Sequence, residues 1–399
     1  MRHIERMIFC LTAGLTANLE AADFSGFIGL ESRFYTDSDE LQHALLLEPE
    51  LYLENDPFSD SLTIKLFHRQ DEVDEARSHS DLREFMWLHS KNNWELHLGV
   101  GKVFWGVTES AHLVDIINQT DNLEGFDGEE KLGQPMLHWS GLYDWGIVDA
   151  FVLPYFRERE FTSLVGGLPS SPEIDTDSPR YESGGEEKHT DLALRYSRSL
   201  GQWDFGLSYF TGTNRDPYLL PIDVNVVGEE EVEGSSFVFR PYYTQITQFG
   251  LDLQATIGAY LWKLEAIQRE DSMDSYTAFV FGLEYTIVGA WDSQMDLGLL
   301  IEKHHDGRGQ EATTPLQDDL FLGARFAFND MQDTSVLVGV IQDLEDSKSY
   351  SGVIEASRRV GGSFRVTLDA LLIQSQNPID PLFMVNKDDQ INFHLEYYY

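Results

Sequence analysis

The segment between residues 109 and 134 holds an unusual concentration of side chains that could act on ions. It carries Asp115, Asp121, Glu124, Asp127, Glu129 and Glu130, and Lys131 is the only lysine or arginine among them. Gly125 and Gly128 allow sharp bends there. Carboxylates held together beside a low-dielectric wall attract cations and repel anions. Whether these side chains do so depends on the elements that position them.

Three other clusters carry side-chain types that bind metals. They are Glu229, Glu230, Glu231 and Glu233; Glu182, Glu186, Glu187 and His189; and His304, His305 and Asp306. Calcium favours clustered carboxylates, but no cluster has the spacing of a calcium loop or a zinc site. Solvated acidic loops explain these clusters better. We therefore predict no metal site and no cofactor.

The surrounding elements are predicted to be β-strands. Apolar and polar residues alternate from residue 25 to the C-terminal residues, for example over 203–209, 249–257 and 364–372. A period of two gives each strand one apolar and one polar face. We count about eighteen such strands, and sixteen remains open. Each is close to the ten residues that a tilted membrane strand requires.

The connections between these strands alternate in length. Short ones are predicted at 55–60, 90–93, 141–146, 199–202, 258–259, 289–293, 329–333 and 360–362, and long ones at 109–134, 157–187, 212–239, 304–317 and 374–388. Trp94, Trp145, Trp203 and Trp291 all lie beside short turns. Tight turns on one side, long loops on the other and an aromatic girdle are typical of an up-and-down transmembrane β-barrel.

The final strand, residues 391–399, is amphipathic throughout. It resembles the C-terminal assembly signal of Gram-negative outer-membrane proteins, which alternates and finishes on an aromatic residue. Its apolar positions include Phe393, Leu395, Tyr397 and Tyr399. The resemblance implies recognition by the barrel-assembly machinery. An ordinary amphipathic edge strand is the alternative.

The N-terminus has the features of a secretory signal peptide. Arg2 and Arg6 precede an apolar stretch, and cleavage is expected after Ala21 or Ala22. The domain prediction is therefore a signal peptide over 1–21 and one barrel over 22–399. With 28 Lys and Arg against 68 Asp and Glu, the formal charge of −40 argues against nucleic-acid binding.

As a whole, the mature chain resembles the porin-like outer-membrane channels of Gram-negative bacteria. The segment 101–110 is also similar to a group of uncharacterised proteobacterial porin-like proteins. The resemblance implies that the third external loop, 109–134, folds inward and makes the constriction. The residues that would line it are Asp115, Asp121, Glu124, Asp127, Glu129 and Glu130. A solvated surface loop outside the pore is the alternative.

Charged residues on the polar strand faces are expected to point into the lumen. The bases are Arg33, Lys65, Arg195, Lys263, Arg325 and Arg365, and the acids are Glu31, Glu48, Glu50, Glu95, Asp149, Asp204, Asp252, Glu265, Glu284, Asp296 and Asp369. A basic strip facing an acidic loop would set a transverse field. Alternatively, these residues pair across strands and only neutralise one another.

The sequence thus predicts an all-β transmembrane barrel with short periplasmic turns and long external loops. The predicted function is passive diffusion of small hydrophilic solutes through the outer membrane, with cation preference. A plugged structural or assembly barrel is the main alternative. An enzyme is less favoured because Gly-x-Ser-x-Gly is absent; it would need a histidine and a nucleophile within hydrogen-bond reach. Predicted partners are membrane lipid and lipopolysaccharide, and a homotrimer is left open.

Overall fold

A closed ring of eighteen antiparallel strands forms the body of the protein. The structure, a computed structural model, describes residues 21–56, 59–125, 128–165, 168–169, 173–223, 237–378, 380–386 and 388–399. The barrel strands are β1 (Ala21–Tyr35), β2 (Glu40–Asp56), β3 (Asp60–Asp71), β4 (Ser80–Lys91), β5 (Trp94–Gly101), β6 (Gln134–Tyr143), β7 (Gly146–Leu153), β8 (Asp191–Leu200), β9 (Trp203–Thr213), β10 (Gln245–Ile257), β11 (Tyr260–Glu270), β12 (Ser275–Ile287), β13 (Asp296–Asp306), β14 (Asp319–Ala327), β15 (Ser335–Asp343), β16 (Tyr350–Val360), β17 (Phe364–Gln374) and β18 (Gln390–Tyr398). The predicted fold class and the count of eighteen are confirmed.

Each strand pairs with its neighbours in the chain, and β18 closes the ring by pairing with β1. The register places Leu30 opposite Leu395 and Arg33 opposite Asn392. Closure gives the first and last strands the hydrogen-bonding partners that open sheet edges lack. The prediction of a closing last strand is therefore confirmed.

Alternation along the strands separates an apolar outer surface from a mostly polar lumen. In β13, for example, Leu299 and Ile301 are exposed on the outside, whereas Leu300 and Glu302 are buried on the inside. An apolar outer belt is stable against lipid. Among the residues that the structure describes, no helix is both long enough and apolar enough to cross a membrane.

The connections alternate in length as predicted, apart from some short ones on the side of the long loops. The side of the long loops is called external below by analogy with other bacterial barrels; there 36–39 and 271–274 have only four residues, and 344–349 has six. Six additional short strands lie in the external connections, at Leu164–Val165, Leu168–Pro169, Glu173–Ile174, Arg180–Tyr181, Tyr218–Asp223 and Phe237–Tyr243. Within the described ranges, five short 3₁₀ segments also occur, at Glu75–Arg77, Glu186–Lys188, Ala290–Asp292, Gly309–Glu311 and Pro381–Val385.

The tryptophans beside the short turns point outward. Trp145 lies in the turn between β6 and β7 and is 50% exposed, and Trp291 lies between β12 and β13 and is 72% exposed. Tyr143 stacks on Trp145 with ring centroids 4.9 Å apart. This arrangement is that of an aromatic girdle at the membrane interface.

The outward face of β13 offers a test of the membrane assignment. We expect Ile301→Arg to lower the free energy of unfolding into lipid by about 2–4 kcal/mol, because it places a charge in the middle of the apolar belt. Met331→Arg is the matched control, since Met331 is 96% exposed in a short turn. Folding titrations in phospholipid vesicles would measure both, and equal effects would contradict the assignment.

Candidate functional site

The connection between β5 and β6 runs inside the barrel. It comprises residues 102–133, since β5 ends at Gly101, earlier than the predicted loop start at residue 109. Asn118 ties its two ends together: its side-chain oxygen accepts a hydrogen bond from the Val103 N–H at 2.9 Å, and its amide donates to the carbonyls of Gly101 and Leu132 at 2.9 and 2.8 Å. These residues are called the inner loop below.

Glu265 of β11 holds the middle of the inner loop. Its Oε1 accepts from the backbone N–H groups of Val107 and Thr108 at 2.7 and 3.1 Å, and its Oε2 accepts from Val114 N–H at 3.2 Å. The Thr108 hydroxyl lies 2.8 Å from the same Oε1. Glu265 is fully buried. Donors from a segment without regular secondary structure are thus satisfied by one wall carboxylate.

Two further wall residues bind the tip of the loop. Glu302 of β13 accepts from the backbone N–H groups of Glu109 and Ser110 at 2.8 and 2.9 Å. Arg325 of β14 donates to the Glu109 carboxylate. Because β14 is the ninth strand after β5 in a ring of eighteen, the loop reaches the opposite wall of the barrel.

Apolar side chains of the inner loop pack on the inner wall. Trp105, Val114, Ile116 and Ile117 form one buried cluster with inward residues of β4 and of β6 to β12, namely Met86, Met136, Phe151, Leu153, Ala193, Phe210, Ile246, Ile267, Tyr276 and Ala278. Arg195 of β8 also lies over the Trp105 ring, 5.2 Å from its centroid. The sequence would allow a short helix over 111–118, but this segment consists of one turn, a bend and residues without regular secondary structure.

Three of the predicted constriction carboxylates form ion pairs that anchor the loop. Asp115 pairs with Lys131 at 3.3 Å, Asp121 with Arg83 at 2.5 Å, and Glu124 with Arg69 at 2.6 Å. Burial raises the pKa of Asp115, although Lys131 opposes this shift. The ion pairs therefore largely compensate the negative charges of these three carboxylates.

The remaining predicted carboxylates are more exposed. Glu129 lies 2.5 Å from His112 Nε2, and Glu130 lies 3.3 Å from the Lys102 amine. Burial alone would lower the pKa of His112, but the carboxylates of Glu129 and Glu265 outweigh it and raise the pKa to about 10. The sixth carboxylate, Asp127, lies outside the described residues.

A cluster of three arginines beside the loop, Arg69, Arg77 and Arg83, was not predicted from the sequence. Arg69 and Arg77 both donate to the Glu31 carboxylate at 2.9 Å, and Arg77 also donates to the Leu123 carbonyl at 3.0 Å. Arg83 enters the lumen at a register shift between β3 and β4. Such a bulge re-aims a side chain, and the regular alternation of the sequence gave no sign of it.

The six predicted lumen bases are distributed around the barrel. Arg33, Lys65, Arg195, Lys263, Arg325 and Arg365 lie on β1, β3, β8, β11, β14 and β17. Several pair with wall carboxylates, as Lys65 does with Glu50 at 2.8 Å and Arg195 with Asp252 at 2.6 Å. Among the described residues of the inner loop, only Glu109 forms ion pairs with these bases, and its partners are Lys263 and Arg325. The spacing places these bases on separate strands, so they do not lie side by side.

A cavity of about 900 Å³ lies between the inner loop and the strands on which the loop does not pack, β14 to β18 and β1. One side consists of loop residues such as Ser110, His112 and Glu129, and the other of inward residues of β14 to β18 and β1. Among the described residues, six carboxylates but only two basic side chains line it: Glu109, Glu124, Glu129, Asp319, Glu355 and Asp388, with Arg33 and His112. The cavity wall is therefore predominantly acidic.

The three sequence clusters of metal-binding residue types do not form a ligand set among the described residues. In β13, His304 faces the lumen and His305 the outside, and Glu229, Glu230, Glu231 and Glu233 lie outside the described residues. Ligand atoms of His79, Asp121 and Glu124 do lie within 4.8 Å of one another. Arg69 and Arg83 already pair with the two acids, so a metal ion would meet two positive charges there.

Ser110 and His304 form the pair that an enzyme would require, since the serine hydroxyl lies 2.8 Å from His304 Nε2. However, a Glu302 oxygen lies 2.5 Å from the same hydroxyl, and Glu302 also occupies the backbone N–H groups of Glu109 and Ser110. A carboxylate at this point opposes an oxyanion instead of stabilising it. In the part of the chain that the structure describes, His304 Nδ1 has no hydrogen-bond partner to orient the ring.

Two solved structures share this architecture. Pseudomonas aeruginosa OpdQ is 10% identical, with a TM-score of 0.52 over 95% of this chain and 97% of that one. Pseudomonas aeruginosa OccK11 (OpdR) is 10% identical, with a TM-score of 0.51 over 94% of this chain and 95% of that one. This chain shares their fold.

The predicted likeness to the porin-like outer-membrane channels is confirmed at the level of fold. A mutant of Rh. blastica porin is more distant, with 12% identity and a TM-score of 0.43 over 95% of this chain and all of that one. No protein-family model and no curated protein matches the sequence. A closed barrel with an apolar outer belt is the form in which bacterial proteins span the Gram-negative outer membrane, which is the predicted location.

The ion pair between His112 and Glu129 predicts a pH dependence. Because the folded-state pKa of His112, about 10, exceeds the ordinary value, its stabilising effect is complete below about pH 6.5 and is lost as the pH rises through about 10. We expect His112→Gln to lower the free energy of unfolding by about 1 kcal/mol near pH 6 and by much less near pH 10.

Thermal unfolding of both proteins across this pH range would test the prediction. His305→Gln is the control, because His305 lies on the outer face of the same barrel. An effect of His112→Gln that does not change with pH would contradict the assigned ion pair.

Proposed function

We propose that the protein is a passive outer-membrane channel with cation preference, whose lumen is narrowed by the inner loop. The observation that carries this proposal is the acidic cavity left between the loop and the wall of β14 to β18 and β1. Solutes would diffuse through water in the part of the lumen that the loop does not occupy. A barrel of this strand number is wide enough to hold an aqueous lumen.

The contacts of the loop support a fixed constriction. Glu265 and Glu302 bind its backbone, Arg83 and Arg69 bind its side chains, and Trp105 packs on the wall. A loop held from several strands keeps one position while solutes pass. It therefore sets a constant cross-section.

The carboxylates around the lumen would serve two different purposes. Asp121 and Glu124 neutralise arginines and thereby attach the loop. Asp319 lines the cavity and has no arginine, lysine or histidine within 4.0 Å among the described residues. We infer that cation preference depends more on cavity carboxylates such as Asp319 than on the loop acids taken together.

A plugged structural barrel is the second candidate. The extensive packing of the inner loop against the walls of β6 to β12 favours it, because packed loops can fill a lumen. An enzyme is disfavoured by the position of Glu302 beside Ser110. The two candidates differ in one measurable property, ion conduction.

The first experiment is the zero-current potential of the purified protein in a planar bilayer across a potassium chloride gradient. Stepwise conductance with a potential of the sign for potassium permeation is expected. A potential of the opposite sign would contradict cation preference. Intact, correctly folded protein that conducts no ions would contradict the channel and support the plugged barrel.

Releasing the loop should enlarge the conducting path. We expect Glu265→Gln to increase single-channel conductance and current noise, and to lower the free energy of unfolding by about 3 kcal/mol through its charged hydrogen bonds. Glu50→Gln is the matched control, because Glu50 pairs with Lys65 on the wall and forms no ion pair with the described residues of the loop. Unchanged conductance in folded Glu265→Gln would place the constriction elsewhere.

Removing one cavity charge should reduce selectivity. We expect Asp319→Asn to shift the zero-current potential toward zero when it is recorded at about pH 9, where this buried carboxylate is ionised, because the substitution removes its charge without changing the shape of the cavity. Glu311→Gln removes an exposed charge from the external connection after β13 and serves as the control. Equal shifts in both variants would assign the preference to the overall charge of the protein.

A further inference from the structure

The inner wall carries a second apolar face, on β14 to β17. Its members point into the lumen, where strand residues of such barrels are usually polar. They are Phe321, Leu337, Ile341, Val353, Leu371 and Ile373, and all six line the cavity. In β15 the outward residues Val338 and Val340 are apolar as well, so this strand is apolar on both faces.

The two apolar inner faces differ in what covers them. The face on β6 to β12 is buried beneath Trp105, Val114, Ile116 and Ile117 of the inner loop. The face on β14 to β17 borders open space of about 900 Å³ instead. Apolar surface that borders a cavity of this size is typical of a site for a small molecule.

Two glycines give this face its shape. A Cβ atom at Gly339 would come within 2.4 Å of the Phe321 ring, and one at Gly323 within 2.8 Å. The ring therefore lies directly on the backbone of β14 and β15. This close approach keeps Phe321 flat against the wall and leaves the adjacent space free.

The polar side of the cavity faces this apolar wall. Ser110, His112 and Glu129 project from the inner loop, and Asp319 and Glu355 extend from the ends of the apolar face. Glu109, Glu124 and Glu129 have basic partners, so the negative charge at the cavity comes mainly from wall carboxylates such as Asp319. An occupant with one apolar side and a positive charge would match both sides.

We propose that the cavity is a binding subsite for small organic cations that carry a compact apolar group, such as an aromatic or branched aliphatic amine. The apolar group packs on Val353, Leu337 and the surrounding wall, and the cationic group faces the carboxylates. This inference rests on the proposed channel and specifies which solutes it retains. Burial of a phenyl group against such a wall is expected to strengthen binding by about tenfold.

The test compares two cations that differ only in the apolar group. Benzyltrimethylammonium and tetramethylammonium would be added to single channels that conduct potassium, and the half-blocking concentrations compared. We expect the benzyl compound to block at a concentration about ten times lower. Benzenesulfonate, an anion of similar shape, should block far more weakly.

Two isosteric variants locate the site. Val353→Thr introduces a hydroxyl into the apolar face, whereas Val338→Thr makes the same change on the lipid side of β15. We expect the first to reduce the tenfold difference several-fold and the second to preserve it. Equal effects of the two variants would contradict the location.

The outcomes separate this inference from the channel itself. Potassium conduction with equal block by both cations would overturn the subsite and leave the channel intact. Block by benzenesulfonate as strong as by the benzyl cation would overturn the charge assignment. If the protein does not conduct, equilibrium dialysis of the detergent-solubilised protein with both cations still tests the subsite, and equal binding of the two would overturn it.

Discussion

The carboxylate of Glu265 fixes the arrangement on which the lumen depends. A chain segment without regular secondary structure brings unpaired backbone N–H groups into the barrel, and each must find an acceptor. Glu265 supplies acceptors for Val107, Thr108 and Val114 from a single wall position. Its burial is favourable because these donors, with His112 nearby, compensate the charge. The course of the loop across the barrel follows from this one contact and its neighbours.

With the loop attached at this wall, the lumen becomes asymmetric. The loop covers one apolar inner face and leaves the other beside a cavity. The charged side chains also have two different roles. Pairs such as Arg83 with Asp121 hold the loop. Asp319 lines the cavity and has no basic partner within 4.0 Å among the described residues. Acidic composition alone therefore says little about selectivity, because much of the charge is used in attachment.

The barrel could be predicted from the sequence because it depends on a local pattern, the alternation of apolar and polar residues along each strand. Alternation places each residue inside or outside from its neighbours alone, so the inward position of Glu265 and the closing role of β18 follow directly. The partners of the inner loop do not follow from any local rule. Glu109 meets Arg325 only because eighteen strands in one register bring them together.

Two features departed from regular alternation, and only one left a trace in the sequence. The bulge that turns Arg83 inward occurs within an ordinary strand pattern. The second apolar face was visible as the continuous apolar run of β15, where Leu337 and Ile341 interrupt the expected polar face. A strand that is apolar on both faces in a barrel of this size therefore marks a lumen wall that meets something other than water.

The same loop contacts constrain the order in which the protein can assemble. Glu109 and Arg325 are separated by 216 positions in the chain, and Ser110 and Glu302 by 192. The loop between β5 and β6 cannot reach its final position until β11, β13 and β14 have joined the sheet. Contacts this distant in sequence are slow to form. A half-built barrel would thus hold the acidic segment unattached, and docking of the loop would come among the last steps of folding.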